Sequence, residues 1–286
     1  MLTFSEIAAM QACPSDWRKA GERIALVPTM GNLHAGHLAL VERAKQLAER
    51  VVVTIFINPM QFDRKEDLDA YPQTLDEDSE QLQQLGVDLL FAPEASTIYS
   101  ESLDTTTQIH VPLITERLEG ASRSGHFTGV ATIVCKLFNL VQPEIAIFGE
   151  KDYQQLLVIR KMVADLDIPV QIESVPTVRE KDGLAMSSRN GYLTRAEREI
   201  APHLYKTLLF LQEELSLNNA KISELEHKGI EMLRKSGFKP DYLEVCQSDT
   251  LQPAKPEDTS LVILAAAWLG KARLIDNLSV NLKPGA

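Results

Sequence analysis

Cysteine is scarce in this 286-residue chain: Cys13, Cys135 and Cys246 are odd in number, scattered and at no metal-ligand spacing. That excludes a disulfide framework or a cysteine-based zinc site and points to a reduced, cytoplasmic setting. Long apolar runs are missing too. A bilayer-spanning helix needs ~20 apolar residues, whereas LVILAAAWLG at 261–270 is too short and reads as a buried helix or strand. Basic charge is in deficit, with 29 Lys and Arg against 40 Asp and Glu for a formal net charge of -11. Duplex nucleic acid is thereby excluded as a bulk partner, while a local basic pocket for phosphate is not. The start, MLTFSEIAAM, lacks the basic residues, apolar core and cleavage site of a secretory leader. With no internal repeat or low-complexity tract, solenoids drop out as well. What remains is an ordinary folded globule, 44% hydrophobic and without a membrane span.

The organising stretch is IALVPTMGNLHAGHL at 24–38. A short apolar run ends at Pro28, passes through Gly31, His34, Gly36 and His37, and leads into an amphipathic segment, the pattern of a strand feeding a helix through a glycine-containing turn. Around it, a first helix is predicted over 3–20, ended by Pro14. Strands follow at 24–27 and 51–57, the latter (VVVTIFI) apolar enough to be covered on both faces. Further strands are predicted at 87–93, near 146–152 and at 169–176, with helices at 35–49, 75–85, 128–140 and 153–166. TTQIHVP at 106–112 reads as a short edge strand, and 58–72 as a long structured loop. This alternation predicts an α/β fold, a Rossmann-like parallel sheet domain over 1–177. A smaller α+β C-terminal domain over 178–286 would carry helices near 196–216 and 219–235 and strands at 242–247, 260–270 and 271–280.

Several clusters can carry chemistry. If both are helical, His34 and His37 share a face, and unpaired N–H groups at a helix start can hold a phosphate. The alternatives are a capping or surface pair, or a metal pair, for which the His-Glu-x-x-His pattern is missing. In DGLAMSSRNGYLT at 182–194, Ser187, Ser188 and Arg189 set two hydroxyls and a guanidinium in a row, suited to phosphate oxygens, unless the segment is only an interdomain loop. In FGEKDYQQ at 148–155, Lys151 and Asp152 are either a surface ion pair or ligands for a phosphate and for a ribose or magnesium, and Gln155 can donate to a small hydroxy acid. Asn58 and Gln61 of NPMQF, and Arg123 with His126, complete the polar clusters.

PTMGNLHAGH resembles the His-x-Gly-His signature of the nucleotidylyltransferase and class I aminoacyl-tRNA synthetase superfamily. The 182–194 segment is similar to its Lys-Met-Ser-Lys-Ser loop, with Arg189 near the place of the second lysine and Ala185 in place of the first. Together with FINPMQF, EGASRSGHFTGV, KLFNLVQPEIAIFGEKDYQQL and RLIDN, these strings resemble the pantothenate synthetase (pantoate–beta-alanine ligase) family over nearly the whole chain. The resemblance implies ATP as co-substrate, Mg2+ with no assigned protein ligand, the small-molecule substrates pantoate and beta-alanine, and a homodimer. On the ATP side it places Met30, His34, His37, Gly149, Lys151, Asp152, Val178, Met186, Ser187, Ser188 and Arg189. Gln61 and Gln155 fall on the pantoate side, with Asn58, Arg123 and His126 beside them. His34, His37, Lys151 and Ser187 to Arg189 are the expected catalytic set. A nucleotidylyltransferase or a non-catalytic nucleotide-binding protein are the rival readings.

Overall fold

The short apolar runs of the first 175 residues become the strands of one parallel sheet. The computed structural model describes residues 1–63, 65–100, 102–217 and 221–282. Along the chain run β1 Leu2–Phe4, α1 Ile7–Lys19, β2 Ile24–Thr29, α2 Ala35–Leu47, β3 Arg50–Ile55, α3 Lys65–Asp69 and α4 Leu75–Gln84. They are followed by β4 Leu89–Phe91, α5 Ala95–Ile98, α6 Glu119–Ser122, α7 His126–Val141, β5 Ile145–Gly149, α8 Tyr153–Asp165 and β6 Gln171–Val175. Strand order is β1-β4-β3-β2-β5-β6, parallel throughout. Chain order reverses across β2, flanked by β3 and β5, and ligands of such sheets bind beyond the carboxyl ends of the strands at that reversal. Successive side chains alternate between faces. Ala25 and Val27 join Val41, Ala44, Val51 and Val53 in one core, and the fully buried Ile24 and Leu26 take the opposite side of β2.

Three sequence-based expectations are corrected here. Residues 2–4 are not helical but pair with Leu89–Phe91 as an edge strand. Pro14 does not end the first helix; it lies inside α1. An interior proline costs about 3 kcal/mol, yet Met10 and Pro14, one turn apart, are both buried, and this burial offsets the lost backbone bond. Among the described residues, 106–112 forms no ladder. The Ile109 N–H donates instead to Thr132 Oγ1 of α7 at 2.9 Å, so a helix hydroxyl satisfies the group a neighbouring strand would have paired. Arg64, within the 58–72 loop, and the expected helix start at 219 lie outside the described residues.

The chain divides into two compact units. The first is Met1–Glu150 with Gln154–Pro176; the second takes Lys151–Tyr153 and the chain from Thr177 onward. In the second lie α9 Arg195–Ile200, α10 His203–Ser216, α11 Ile222–Lys235 and an antiparallel sheet of β7 Lys239–Gln247, β8 Ser260–Leu269 and β9 Ala272–Asn281, ordered β7-β8-β9. The apolar run at 261–270 is the central strand. Leu204, Leu208 and Leu211 of α10 and Leu225 and Leu233 of α11 pack with Val245, Ile263 and Leu274 of the sheet.

Candidate active site

The turn after β2 is shaped by a residue far along the chain. Gly31 and Asn32 take left-handed φ values of 82° and 52°. This bend aims the N–H groups of Asn32 and Leu33 at Asp78, whose carboxylate accepts both at 2.8 Å. Asp78 is buried near the start of α4, with Thr74 Oγ1 as a further donor at 3.1 Å. A Cβ on Gly31 would stand 3.1 Å from the Asp78 carboxylate, so side chain and φ both call for glycine here. Asp78→Asn would turn an NH2 toward one of these N–H donors. We expect it to lower stability by about 1–3 kcal/mol, the cost of a stranded buried donor, read as a lower urea midpoint at unchanged m-value.

His34 is not helical, so the condition for a shared helical face is not met: it is the extended N-cap of α2, with φ -139°. Its Nδ1 accepts the Gly36 N–H at 3.1 Å, and Nδ1 of His37 accepts the His34 N–H at 3.3 Å, a capping box built from two histidines. A backbone N–H can only donate, so both Nδ1 atoms are acceptors and each neutral ring carries its proton on Nε2. The rings lie 4.1 Å apart between centroids, tilted by 33°. Most backbone N–H groups of this turn already have partners. Those of Asn32 and Leu33 are taken by Asp78, and those of His34 and Gly36 by the rings. The imidazole Nε2–H groups are the side-chain donors this turn presents.

Beyond β3, the turn Pro59–Gln61 is clamped from several directions. Asn58 Nδ2 donates to Gly129 O and to Gln61 Oε1, both at 3.1 Å. Its Oδ1 accepts from Tyr99 Oη at 2.7 Å and from the Met60 N–H at 3.3 Å. Every hydrogen-bonding site of this buried amide is used, and Asn58 holds Gln61 in place. The chain of donors also fixes Gln61: because Gly129 O must accept, Asn58 presents Nδ2, Gln61 answers with Oε1, and its Nε2 points to Met30 Sδ at 3.1 Å. Burial pushes the Tyr99 phenol up to about 12, which keeps it a donor. Arg123 and His126 bear on the same residue. Gln61 O accepts from His126 Nδ1 at 2.8 Å and Arg123 Nη2 at 3.3 Å; His126 Nε2 meets Arg123 Nη1 at 3.3 Å, and Arg123 Nε lies 3.5 Å from Asp63. Of the adjacent glutamines on α8, Gln154 is buried and bonded to Ile114 O, Arg117 O and the Glu119 N–H, whereas Gln155 is half-buried.

In the second unit, Val178 O accepts the Met186 N–H at 2.9 Å, and Arg179 and Ala185 form an antiparallel bridge. Residues 178–186 thus fold back on themselves and release Ser187, Ser188 and Arg189 at the hairpin's end. Ser187 caps the short turn Ser188–Tyr192 by accepting the Arg189 N–H at 3.2 Å. Arg198 holds the tip through Asp182 at 2.6 Å and Glu180 at 3.0 Å, and this guanidinium keeps the Asp182 carboxyl below its ordinary range. Lys151, its side chain 16% exposed, lies 3.8 Å from the half-exposed Asp152 just past Gly149.

The family model for pantoate-beta-alanine ligase matches residues 2–279. The chain belongs to the pantoate-beta-alanine ligase family. A pantothenate synthetase of Alkalilimnicola ehrlichii is 53% identical over 282 residues, covering 99% of each chain. The crystal structure of pantothenate synthetase from Thermus thermophilus aligns with a TM-score of 0.90 at 46% identity, over 97% of this chain and 99% of that one. A pantoate-beta-alanine ligase from Francisella tularensis, solved with beta-gamma ATP and beta-alanine, gives 0.80 at 35% identity over 97% of both. In this pantoate-beta-alanine ligase family member, sequence reasoning missed Asp78, Tyr99 and Gly129 as supports of the site. A buried carboxylate in the first turn of α4 reads in sequence as favourable dipole chemistry, with nothing to name its partners.

Proposed function

We propose that this chain condenses pantoate with beta-alanine to pantothenate at the expense of ATP. A pantoate carboxylate oxygen attacks the α-phosphorus, the bond from that phosphorus to the bridging oxygen breaks, and pyrophosphate leaves. The beta-alanine amine then attacks the acyl carbon of pantoyl adenylate. The bond from that carbon to the phosphate oxygen breaks, the nitrogen gives up a proton, and AMP is released. The observation that carries the reading is the pair of imidazoles held as Nε2–H donors at the head of α2. Two anions must be brought together in the first step, and neutral donors that need no reorganisation stabilise the charge on phosphate oxygens.

We assign Gln61 and Gln155 to pantoate, and His34, His37, Lys151, Ser187, Ser188 and Arg189 to the ATP phosphates. Met30, Gly149, Asp152, Val178 and Met186 complete the nucleotide's contacts. A magnesium ion fits as a companion of those phosphates and not as a resident metal. Among the described residues no group of three His, Cys, Asp or Glu could hold one, and Mg2+ on a nucleotide needs only one or two carboxylates, of which Asp152 is the candidate. When bound, it neutralises phosphate charge. The family resemblance adds a cytoplasmic homodimer.

The test is AMP formation from ATP and pantoate with beta-alanine added or withheld. AMP that depends on both acids is the expected result. Transfer of AMP to a phosphate acceptor would make the chain a nucleotidylyltransferase, and no turnover of ATP would make it a binding protein.

A further inference from the structure

Aspartate and asparagine stand side by side on β9, a strand whose neighbours on the Asp276 face are apolar: Ala272, Leu274 and Val280 belong to the unit's core and the half-buried Leu278 packs against it. A buried carboxylate in such a row is costly unless paired, and well-packed apolar residues would usually serve stability as well or better. Its partner is Arg179, which meets it with both arms, Nη1 to Oδ2 at 2.7 Å and Nη2 to Oδ1 at 2.9 Å. The same guanidinium donates to Gly183 O at 3.1 Å and lies 3.6 Å over the Tyr205 ring. Arg179 is therefore clamped from several sides, at the root of the hairpin that presents Ser187, Ser188 and Arg189. Asn277 continues the network in the other direction. Its N–H donates to Asp276 Oδ1 at 2.8 Å, and its Nδ2 donates to the backbone carbonyl of Lys151 at 2.8 Å. One dipeptide thus joins the two clusters of this unit assigned to phosphate.

We propose that Asp276 and Asn277 are positioning residues for adenylation: Asp276 sets the Ser187–Arg189 segment through Arg179, and Asn277 sets Lys151 through its main chain. This rests on the reading that those side chains act on the ATP phosphates. Neither residue touches substrate in the proposal; each holds a group that does. An ion pair that served the core alone would affect both chemical steps equally, through the amount of folded protein. A positioning device acts on the step in which the full triphosphate must be held in line.

The experiment uses the full chain with Asn277→Asp, isosteric but presenting an acceptor to the Lys151 carbonyl, and Asn277→Ala. Asp276→Asn serves as a companion. Three quantities are measured: thermal unfolding, pyrophosphate release from ATP and pantoate with its KM and kcat, and AMP release from supplied pantoyl adenylate and beta-alanine. Adenylation should fall about tenfold or more while the adenylate-fed step stays within about twofold, the pattern of misplaced reacting groups. Unchanged adenylation in folded variants overturns the proposal. So do equal losses in both steps, or unfolding of both Asn277 variants, since the dipeptide would then serve stability alone. A wild-type chain that releases no pyrophosphate overturns the functional reading instead.

Discussion

Replacing His37 with alanine should slow pyrophosphate release by roughly 10²–10³-fold, the usual cost of one preorganised donor at developing charge, whereas His37→Gln should retain much more activity. The structure gives the reason for the difference. Nδ1 of His37 accepts the His34 N–H as the third residue of a capping box, while the ring proton resides on Nε2. Glutamine is a normal occupant of that capping position. Its carbonyl can take the part of Nδ1 or its amide the part of Nε2–H, though not both at full geometry. Alanine supplies neither. Carboxylate attack on phosphorus requires no proton removal, so a side chain that donates without titrating should suffice. Equal and near-total loss in both variants would instead assign His37 a proton-transfer role.

The second large effect is expected at Gly129, inside α7. A helix-interior Gly→Ala change ordinarily stabilises by about 0.5–1 kcal/mol. Here the new methyl would stand 2.5 Å from Met60 O, 2.6 Å from Met60 C and 2.7 Å from Gln61 N, all main-chain atoms. No side chain can rotate away, so the Pro59–Gln61 turn must move. Overpacking of this kind costs about 1–3 kcal/mol, which outweighs the helix propensity gain, and the urea midpoint should fall. The catalytic cost is larger still. A shift approaching 1 Å at a group that orients substrate is worth about 10²-fold, and the displaced residue is Gln61, proposed above as a pantoate ligand. Pyrophosphate release at fixed pantoate should drop by that order, chiefly through KM for pantoate. A Gly129→Ala protein with wild-type pantoate KM and unfolding midpoint would refute the clamping of this turn.

Legibility followed sequence distance. The run at 24–27, the glycines after it and the amphipathic stretch from residue 35 are local signals, and β2, its turn and α2 lie where those signals point. The apolar 51–57 run and the 261–270 run became buried strands because uninterrupted apolar residues can be satisfied only by cover on both faces. Local signals failed at Pro14, where burial beside Met10 overrode a helix breaker. They failed again wherever a role depends on a distant partner. Asn58, Arg123 and His126 were legible as polar residues, yet Arg123 and His126 reach Gln61 across 62 and 65 residues and Asn58 reaches Gly129 across 71. The histidine tautomers needed the backbone: spacing alone cannot say which ring nitrogen faces an N–H.

Asp78 bears on how the signature comes into being. The carboxylate that shapes residues 31–33 arrives 46 residues after Asn32, so a growing or truncated chain ending before α4 lacks the counterpart that bends this turn. The bend at residues 31–33 that leads into the two imidazoles gains its carboxylate only once that later helix has docked, and a peptide of residues 24–47 would carry the histidine cap without it.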